Sequence, residues 1–115
     1  MSKLNVHIET WDEMAARVAD VWHRAERGED VAPSHHVSFA SWEALAAVMT
    51  PKRLELLRHL HRRPAASIAA LARDLGRDYR RVHDDVEALL AAGLIDRGAD
   101  GLRAEYEAIQ ADIAM

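Results

Sequence analysis

Three short segments with helical periodicity follow one another between residues 51 and 92, and a residue that caps or stops a helix bounds each of them. Thr50-Pro51 opens the first segment, because threonine caps helices and proline is favoured at the first helical position. The second segment extends from Ser67, a capping residue, to Gly76, and the third from about Asp78 to Ala92. This arrangement predicts three helices joined by short turns.

Two short segments with the form of strands follow the third helix. Residues 94–97 and 102–106 are separated by the turn sequence Gly-Ala-Asp-Gly at residues 98–101, which predicts a β-hairpin. Ala72 and Gly76 are four residues apart, so a small side chain allows two helices to cross closely and glycine takes the turn between them. These features predict a mainly α (α+β) fold, a winged helix-turn-helix domain over residues 51–106.

The N-terminal part predicts a strand followed by a helix. Residues 3–9 alternate between apolar and polar side chains, as in a half-buried strand. Thr10 and Glu13 have the spacing of a capping box, and Gly28 is placed to end the helix that they begin. We therefore expect a strand-helix extension over residues 1–40, used for dimerisation or partner binding, and a DNA-binding domain over residues 41–115.

The remaining segments give shorter elements. Residues 28–36 are polar and contain Pro33, which predicts a linker, and Val37 and Phe39 suggest a second short strand beside the first. Ser41 is placed to cap a short helix over Trp42–Met49. The tail, residues 107–115, has two isoleucines four residues apart, so a helix and a frayed end both remain open.

The charge distribution separates a basic middle from acidic flanks. The whole chain has a net charge of −4, but residues 51–92 carry +3, against −4 for residues 1–50 and −3 for residues 93–115. Clustered Lys and Arg are what phosphate binding requires. The local positive charge therefore favours a nucleic-acid partner for the three-helix segment, although the net negative charge of the whole chain would disfavour one.

Several classes of function are disfavoured by composition and motifs. The chain has no cysteine, which excludes disulfides and thiolate metal sites, and no apolar run long enough to span a bilayer. We expect a soluble, cytoplasmic, nucleoid-associated protein. The seven histidines lack metal-ligand spacing, and neither a phosphate loop nor a nucleophile motif is present. We therefore expect no enzyme activity, no metal and no cofactor.

The third helix is the predicted recognition helix. At 100° per residue its solvent side lies opposite Val82, Val86 and Leu89, and Tyr79 is placed nearer the core side. Arginine can bind guanine through two hydrogen bonds, and aspartate can accept one from cytosine. We predict DNA contacts from this helix, its preceding turn, the second helix and the hairpin, at Ser67, Arg77, Tyr79, Arg80, Arg81, His83, Asp84, Arg97 and Arg103.

These residues also carry a family resemblance. Residues 71–79, 82–86 and 93–95 resemble prokaryotic winged-helix regulators of the MarR-like superfamily. With residues 39–41 and 50–57, the chain is similar to a smaller group of DNA-binding proteins, some of them antitoxins of toxin–antitoxin pairs, that share the strand-helix N-terminus. Where a basic residue is expected after the histidine of the recognition helix, this chain has Asp84 followed by Asp85.

The resemblance implies sequence-specific binding of double-stranded DNA by a transcriptional regulator, which could be an autoregulating antitoxin with a cognate toxin as partner. The excess apolar surface of the N-terminal segment predicts a homodimer or partner contact through Val6, Ile8, Met14, Val18, Val21 and Trp22. The alternative is a winged-helix module that binds protein and not DNA. The acidic net charge and the Asp84-Asp85 pair favour that alternative, and the basic middle segment opposes it.

Overall fold

The computed structural model describes residues 2–31 and 35–115, and this part of the chain is an α+β fold that is about half helical. Its five helices are α1 (Trp11–Glu26), α2 (Trp42–Val48), α3 (Pro51–Arg62), α4 (Ile68–Leu75) and α5 (Tyr79–Ala91). Its five strands are β1 (Lys3–Ile8), β2 (His35–Phe39), β3 (Asp96–Gly98), β4 (Gly101–Arg103) and β5 (Ala108–Ile113).

The helix boundaries follow from capping residues in the sequence. The side chain of Thr10 accepts a hydrogen bond from the Glu13 amide, and the Glu13 carboxylate accepts one from the Thr10 amide, which confirms the capping box. Thr50 caps α3 with Pro51 at its first position. Gly76 ends α4 in the left-handed conformation at φ +63°, a region that glycine enters without steric cost.

Three parallel strands form a sheet in the order β2-β1-β5. The predicted second strand is confirmed, but it begins at His35, so the linker prediction was wrong for His35 and His36; Pro33 lies outside the described residues. The tail is neither a helix nor a frayed end, because β5 pairs with β1 from Lys3↔Ala108 to Ile8↔Ile113. A strand from the predicted C-terminal domain therefore completes the N-terminal sheet, and the division at residue 40 stays a prediction.

One face of β1 enters the protein core. Leu4, Val6 and Ile8 are at most 9% exposed and belong to the same buried cluster as leucines and valines of α3, α4 and α5. Burial inside its own chain makes a side chain unavailable to a partner. The prediction that Val6 and Ile8 contact a second protein was therefore wrong, because β1 is the central strand of the sheet.

A short hairpin of β3 and β4 follows α5, as predicted, although its strands have only three residues each. Leu102 exchanges two backbone hydrogen bonds with Ala65, which precedes α4. At Gly101, with φ +117°, a Cβ would collide with the carbonyl oxygen of Ala65. The hairpin is thus held against the α3–α4 connection by a contact that requires glycine.

Helix α1 contributes no residue to the buried core of the described chain. None of its residues is buried, and Val18 and Trp22 are 56% and 65% exposed. Arg17 lies on the side that meets the sheet, where its guanidinium binds the Glu9 carboxylate at 2.7 Å and the Ser38 hydroxyl at 3.4 Å. An apolar ridge, defined here as Trp11, Ala15, Val18, Trp22 and Ala25, is therefore left facing solvent.

Candidate nucleic-acid interface

Helices α4 and α5 pack against each other across a tight turn. Ala72 is 5% exposed at their contact, and the amide of Gly76 donates to carbonyl groups at the end of α4. Asp78 then caps α5 by accepting a hydrogen bond from the Arg81 amide at 3.2 Å. The two helices are thereby held at a fixed angle by a small residue, a glycine and a cap.

The first two turns of α5 present basic side chains to solvent. Val82 and Val86 are completely buried on the inner side of the helix, as the periodicity predicted. Arg80 and Arg81 are exposed on the other side. Within the described residues neither guanidinium has an acidic partner, so both retain their full hydrogen-bonding capacity for a ligand.

Two further predicted contacts lie beside these arginines. Tyr79 is 53% exposed, so the prediction that it lies nearer the core side was wrong. Its ring is 6.0 Å from that of His83, whose Nδ1 lies 3.6 Å from the Asp84 carboxylate. With Arg80, these side chains line a shallow depression of about 280 Å³.

Arg77 is held inside the structure, contrary to the expectation that it projects from the recognition helix. Its Nη2 donates to the Asp85 carboxylate at 2.7 Å, and its side chain is only 18% exposed. Arg77 precedes α5, so the helical periodicity does not extend to it. The prediction of a freely projecting Arg77 was therefore wrong, and its guanidinium is a structural group of the α4–α5 turn.

Asp85 also binds Arg53 at the start of α3. The Arg53 Nε donates to the second Asp85 oxygen at 3.1 Å, and its Nη1 donates to the carbonyl groups of Ala47 and Val48 at the end of α2. One carboxylate thus connects α5 with α3 and with the turn before α5. The sequence did not predict this cluster, because Arg53, Arg77 and Asp85 lie on three separate segments of the chain.

The hairpin arginines are engaged in ion pairs. Arg97 lies 3.4 Å from Glu87 of α5, which connects β3 with the helix. Arg103 binds Glu105 at 3.0 Å and Asp100 at 3.4 Å, and this acidic environment raises its pKa further above the ordinary value. Both arginines remain at least one third exposed. A phosphate would therefore compete with carboxylates at these positions.

Ser67 caps α4 by accepting a hydrogen bond from the Ala70 amide at 3.1 Å. It lies with Arg97, Gly98 and Ala99 around a depression of about 300 Å³ between α4 and the hairpin. The structure thus brings Ser67 and Arg97 to one side of the molecule. Ser67 has a demonstrated capping role, and DNA contact stays a prediction for it.

Lys52 was not among the predicted contacts. It lines an open depression of about 590 Å³ together with Arg77, Asp78 and Arg81, so a basic side chain of α3 reaches the flank of α5. Its ammonium lies 3.5 Å from Glu55, in a pair that is about two thirds exposed. The Pro51-Lys52-Arg53 sequence at the start of α3 is the signal that could have identified it.

The potential metal ligands of residues 2–31 and 35–115 do not have the arrangement of a metal site. There, no group of three or more histidine, aspartate or glutamate side chains is arranged to hold a metal ion. His7 and His36 stack, with a ring-nitrogen distance of 2.7 Å, in the polar face of the sheet. None of the described helices combines the length and apolar character required to cross a membrane.

The fold and this surface define an α+β protein with an exposed basic helix beside a short hairpin. The model of the HVO_A0114 family matches residues 48–111, which is more than half of the chain, and the chain belongs to that family. The match covers α3, α4, α5, the hairpin and part of β5. No curated protein and no solved structure matches the chain.

Proposed function

We propose that residues 51–106 form a winged helix-turn-helix domain that binds double-stranded DNA in a sequence-specific way and regulates transcription. The observation that carries this proposal is the pair Arg80 and Arg81, which are adjacent, exposed and without acidic partners in the described chain. They lie in the N-terminal half of the helix that follows a tight turn, the half of a recognition helix that enters the major groove.

The two arginines have different proposed roles. Arg80 projects away from Val82 and Val86, which suits a bidentate contact with guanine O6 and N7. Arg81 lies beside Lys52 on the flank of α5, where both charges suit the phosphate backbone. The +3 charge of residues 51–92 supplies the general attraction to DNA.

Asp84 and Asp85 have separate roles in this proposal, although they are adjacent in sequence. Asp85 is 14% exposed and is occupied by two arginines, so it supports the helix and does not face DNA. Asp84 is 71% exposed, and it can accept a hydrogen bond from cytosine N4 or repel phosphate. The acidic pair is therefore weaker evidence against DNA binding than its sequence suggested.

The test begins with selection of bound sequences from a pool of random duplexes by the full-length protein. Fluorescence anisotropy with the selected duplex and a scrambled duplex at several salt concentrations then measures affinity and specificity. Arg73→Ala is the matched control for Arg80→Ala, because Arg73 is an exposed arginine on α4. Absence of an enriched sequence, with equal affinity of wild-type protein for both duplexes, would refute sequence-specific binding.

A second proposed activity is protein binding through the apolar ridge of α1. Trp22, Val18 and Trp11 are 65%, 56% and 76% exposed, and exposed apolar surface of this kind marks interaction sites. The partner would be a second copy of the chain, and a cognate toxin if the protein is an autoregulating antitoxin. Co-purification of the protein with the product of the adjacent gene tests the toxin hypothesis. The hypothesis would be refuted if no neighbouring gene product binds the protein and overexpression of each one is harmless.

A further inference from the structure

An apolar cavity of about 330 Å³ lies between α3, the segment after β4 and strand β5. Leu54, Leu57, Leu94 and Ile109 contribute apolar side chains to its wall. Its volume is at the lower end of the range of small-molecule sites, which are mostly apolar with a few polar groups that orient the ligand. The cavity therefore has the size and the wall of a ligand site.

Two arginines line this cavity from α3. Arg58 and Arg62 are one helical turn apart, and neither has an acidic partner in the part of the chain that the structure describes. Arg62 Nε donates to the Arg58 carbonyl oxygen at 3.2 Å, which places its guanidinium along the helix. Both side chains are exposed, so their terminal nitrogens are accessible to an anion.

Other polar groups of the cavity are accounted for. His61 Nδ1 lies 2.9 Å from the Ala104 carbonyl oxygen, which fixes the ring between α3 and the segment after β4. Tyr106 has a raised pKa because of burial, followed by the nearby carboxylates Asp96 and Glu105, so its phenol is a neutral hydrogen-bond donor. The lining contains one acidic residue, Glu107, and two arginines, so its charge is positive.

We propose that this cavity binds a small amphipathic anion, with its apolar body against Leu57 and Ile109 and its carboxylate between Arg58 and Arg62. A DNA phosphate fits poorly because it has no apolar part to fill the wall. The ligand would contact α3 of the proposed DNA-binding unit and β5 of the N-terminal sheet at the same time. This inference does not depend on the proposed DNA binding.

The test uses the full-length protein and 8-anilinonaphthalene-1-sulfonate, an aromatic anion that fluoresces in apolar sites. We expect one saturable site per chain, with affinity reduced about tenfold or more in the double variant Arg58→Gln/Arg62→Gln. Glu107→Gln should raise affinity about threefold, as expected for removal of one exposed like charge. Arg63→Gln is the control, because this exposed arginine at the end of the same helix does not line the cavity.

Competition identifies the chemistry of the occupant. Octanoate should displace the probe, whereas octylammonium, which has the same chain and the opposite charge, should not. Equal displacement by both would overturn the proposal. It would also be overturned if Trp22→Ala removed the probe signal while Arg58→Gln/Arg62→Gln left it unchanged, because the ridge of α1 would then be the site. Circular dichroism of each variant checks that it is folded.

Discussion

Arg77 and Asp85 are joined by a 2.7 Å ion pair that spans the start of α5. The same carboxylate accepts a 3.1 Å hydrogen bond from Arg53, so one acidic residue pairs with two arginines whose side chains are less than 20% exposed. The arrangement fixes α5 relative to α3. The position of the exposed arginines on α5 therefore depends on a largely buried carboxylate of the same helix.

Replacement of Asp85 should destabilise the fold. Asp85→Ala leaves Arg53 and Arg77 largely buried without their acidic partner, and loss of one member of a buried pair costs about 3 kcal/mol or more. Urea unfolding at neutral pH measures this change. The matched control is Asp84→Ala, which removes a 71% exposed carboxylate and should change the free energy of unfolding by less than about 0.5 kcal/mol.

Arg80→Ala should reduce affinity for the selected duplex by about 1 to 3 kcal/mol and relax preference at one base position, as expected for loss of a bidentate guanine contact. Anisotropy with duplexes altered at single positions measures this loss. An equal loss on the selected and scrambled duplexes would contradict base recognition by Arg80.

Arg81→Ala should weaken binding to all duplexes nearly equally and lower the salt slope by about 1, because it removes one phosphate contact. Binding at four or more salt concentrations measures the slope. If the double variant Arg80→Ala/Arg81→Ala binds DNA as well as the wild type, α5 is not the recognition helix, and the protein-interaction alternative replaces the proposal.

The sequence predicted the helices well because capping is local. At the start of α1, Thr10 and Glu13 accept hydrogen bonds from each other's backbone amides. At the start of α3, Thr50 accepts one from a nearby amide, and Pro51 has no amide hydrogen that needs a partner. Strand β5 was missed because its apolar residues, Ile109 and Ile113, have a separation of four, which fits a helix as well as a strand. These residues form a strand because they pair with β1, which lies more than 100 positions earlier in the sequence.

The candidate site was predicted where it depends on one helix and missed where it depends on contacts between elements. Helical periodicity placed Arg80 opposite the apolar face of α5 and Arg81 on its flank, and both are exposed. It failed for Arg77, which precedes the helix, and for Tyr79, which is 53% exposed in the first turn of α5. Ion pairs such as Arg53 with Asp85 join residues 32 positions apart, and charge patterns within one helix do not reveal them.

The apolar ridge of α1 should mediate a homodimer. Trp22→Glu places a charge on the ridge and should convert the dimer into a monomer of 12.9 kDa, as measured by light scattering at several concentrations. Ala16→Glu adds the same charge on the opposite side of α1 and should leave the dimer intact. A monomeric wild type, or a dimeric Trp22→Glu variant, would exclude the ridge as the interface.

The ion pair of Glu9 and Arg17 should make stability depend on acid pH. The Arg17 hydrogen bond, partly opposed by burial and reinforced by Ser38, lowers the pKa of Glu9 below its ordinary value of 4.5. Because the folded pKa is depressed, the contribution of Glu9 is fully present above pH 4.5 and is lost as pH falls through the folded value. Glu9→Gln should therefore cost about 1.5 to 3 kcal/mol at pH 7, the range of hydrogen bonds to charged groups. Urea unfolding of both proteins from pH 7 downwards should show the difference narrowing below pH 4.5; a constant difference would show that the Glu9 charge does not contribute. Glu13→Gln is the control, because it also replaces an exposed glutamate by glutamine. Its amide oxygen can still accept the capping hydrogen bond from the Thr10 amide.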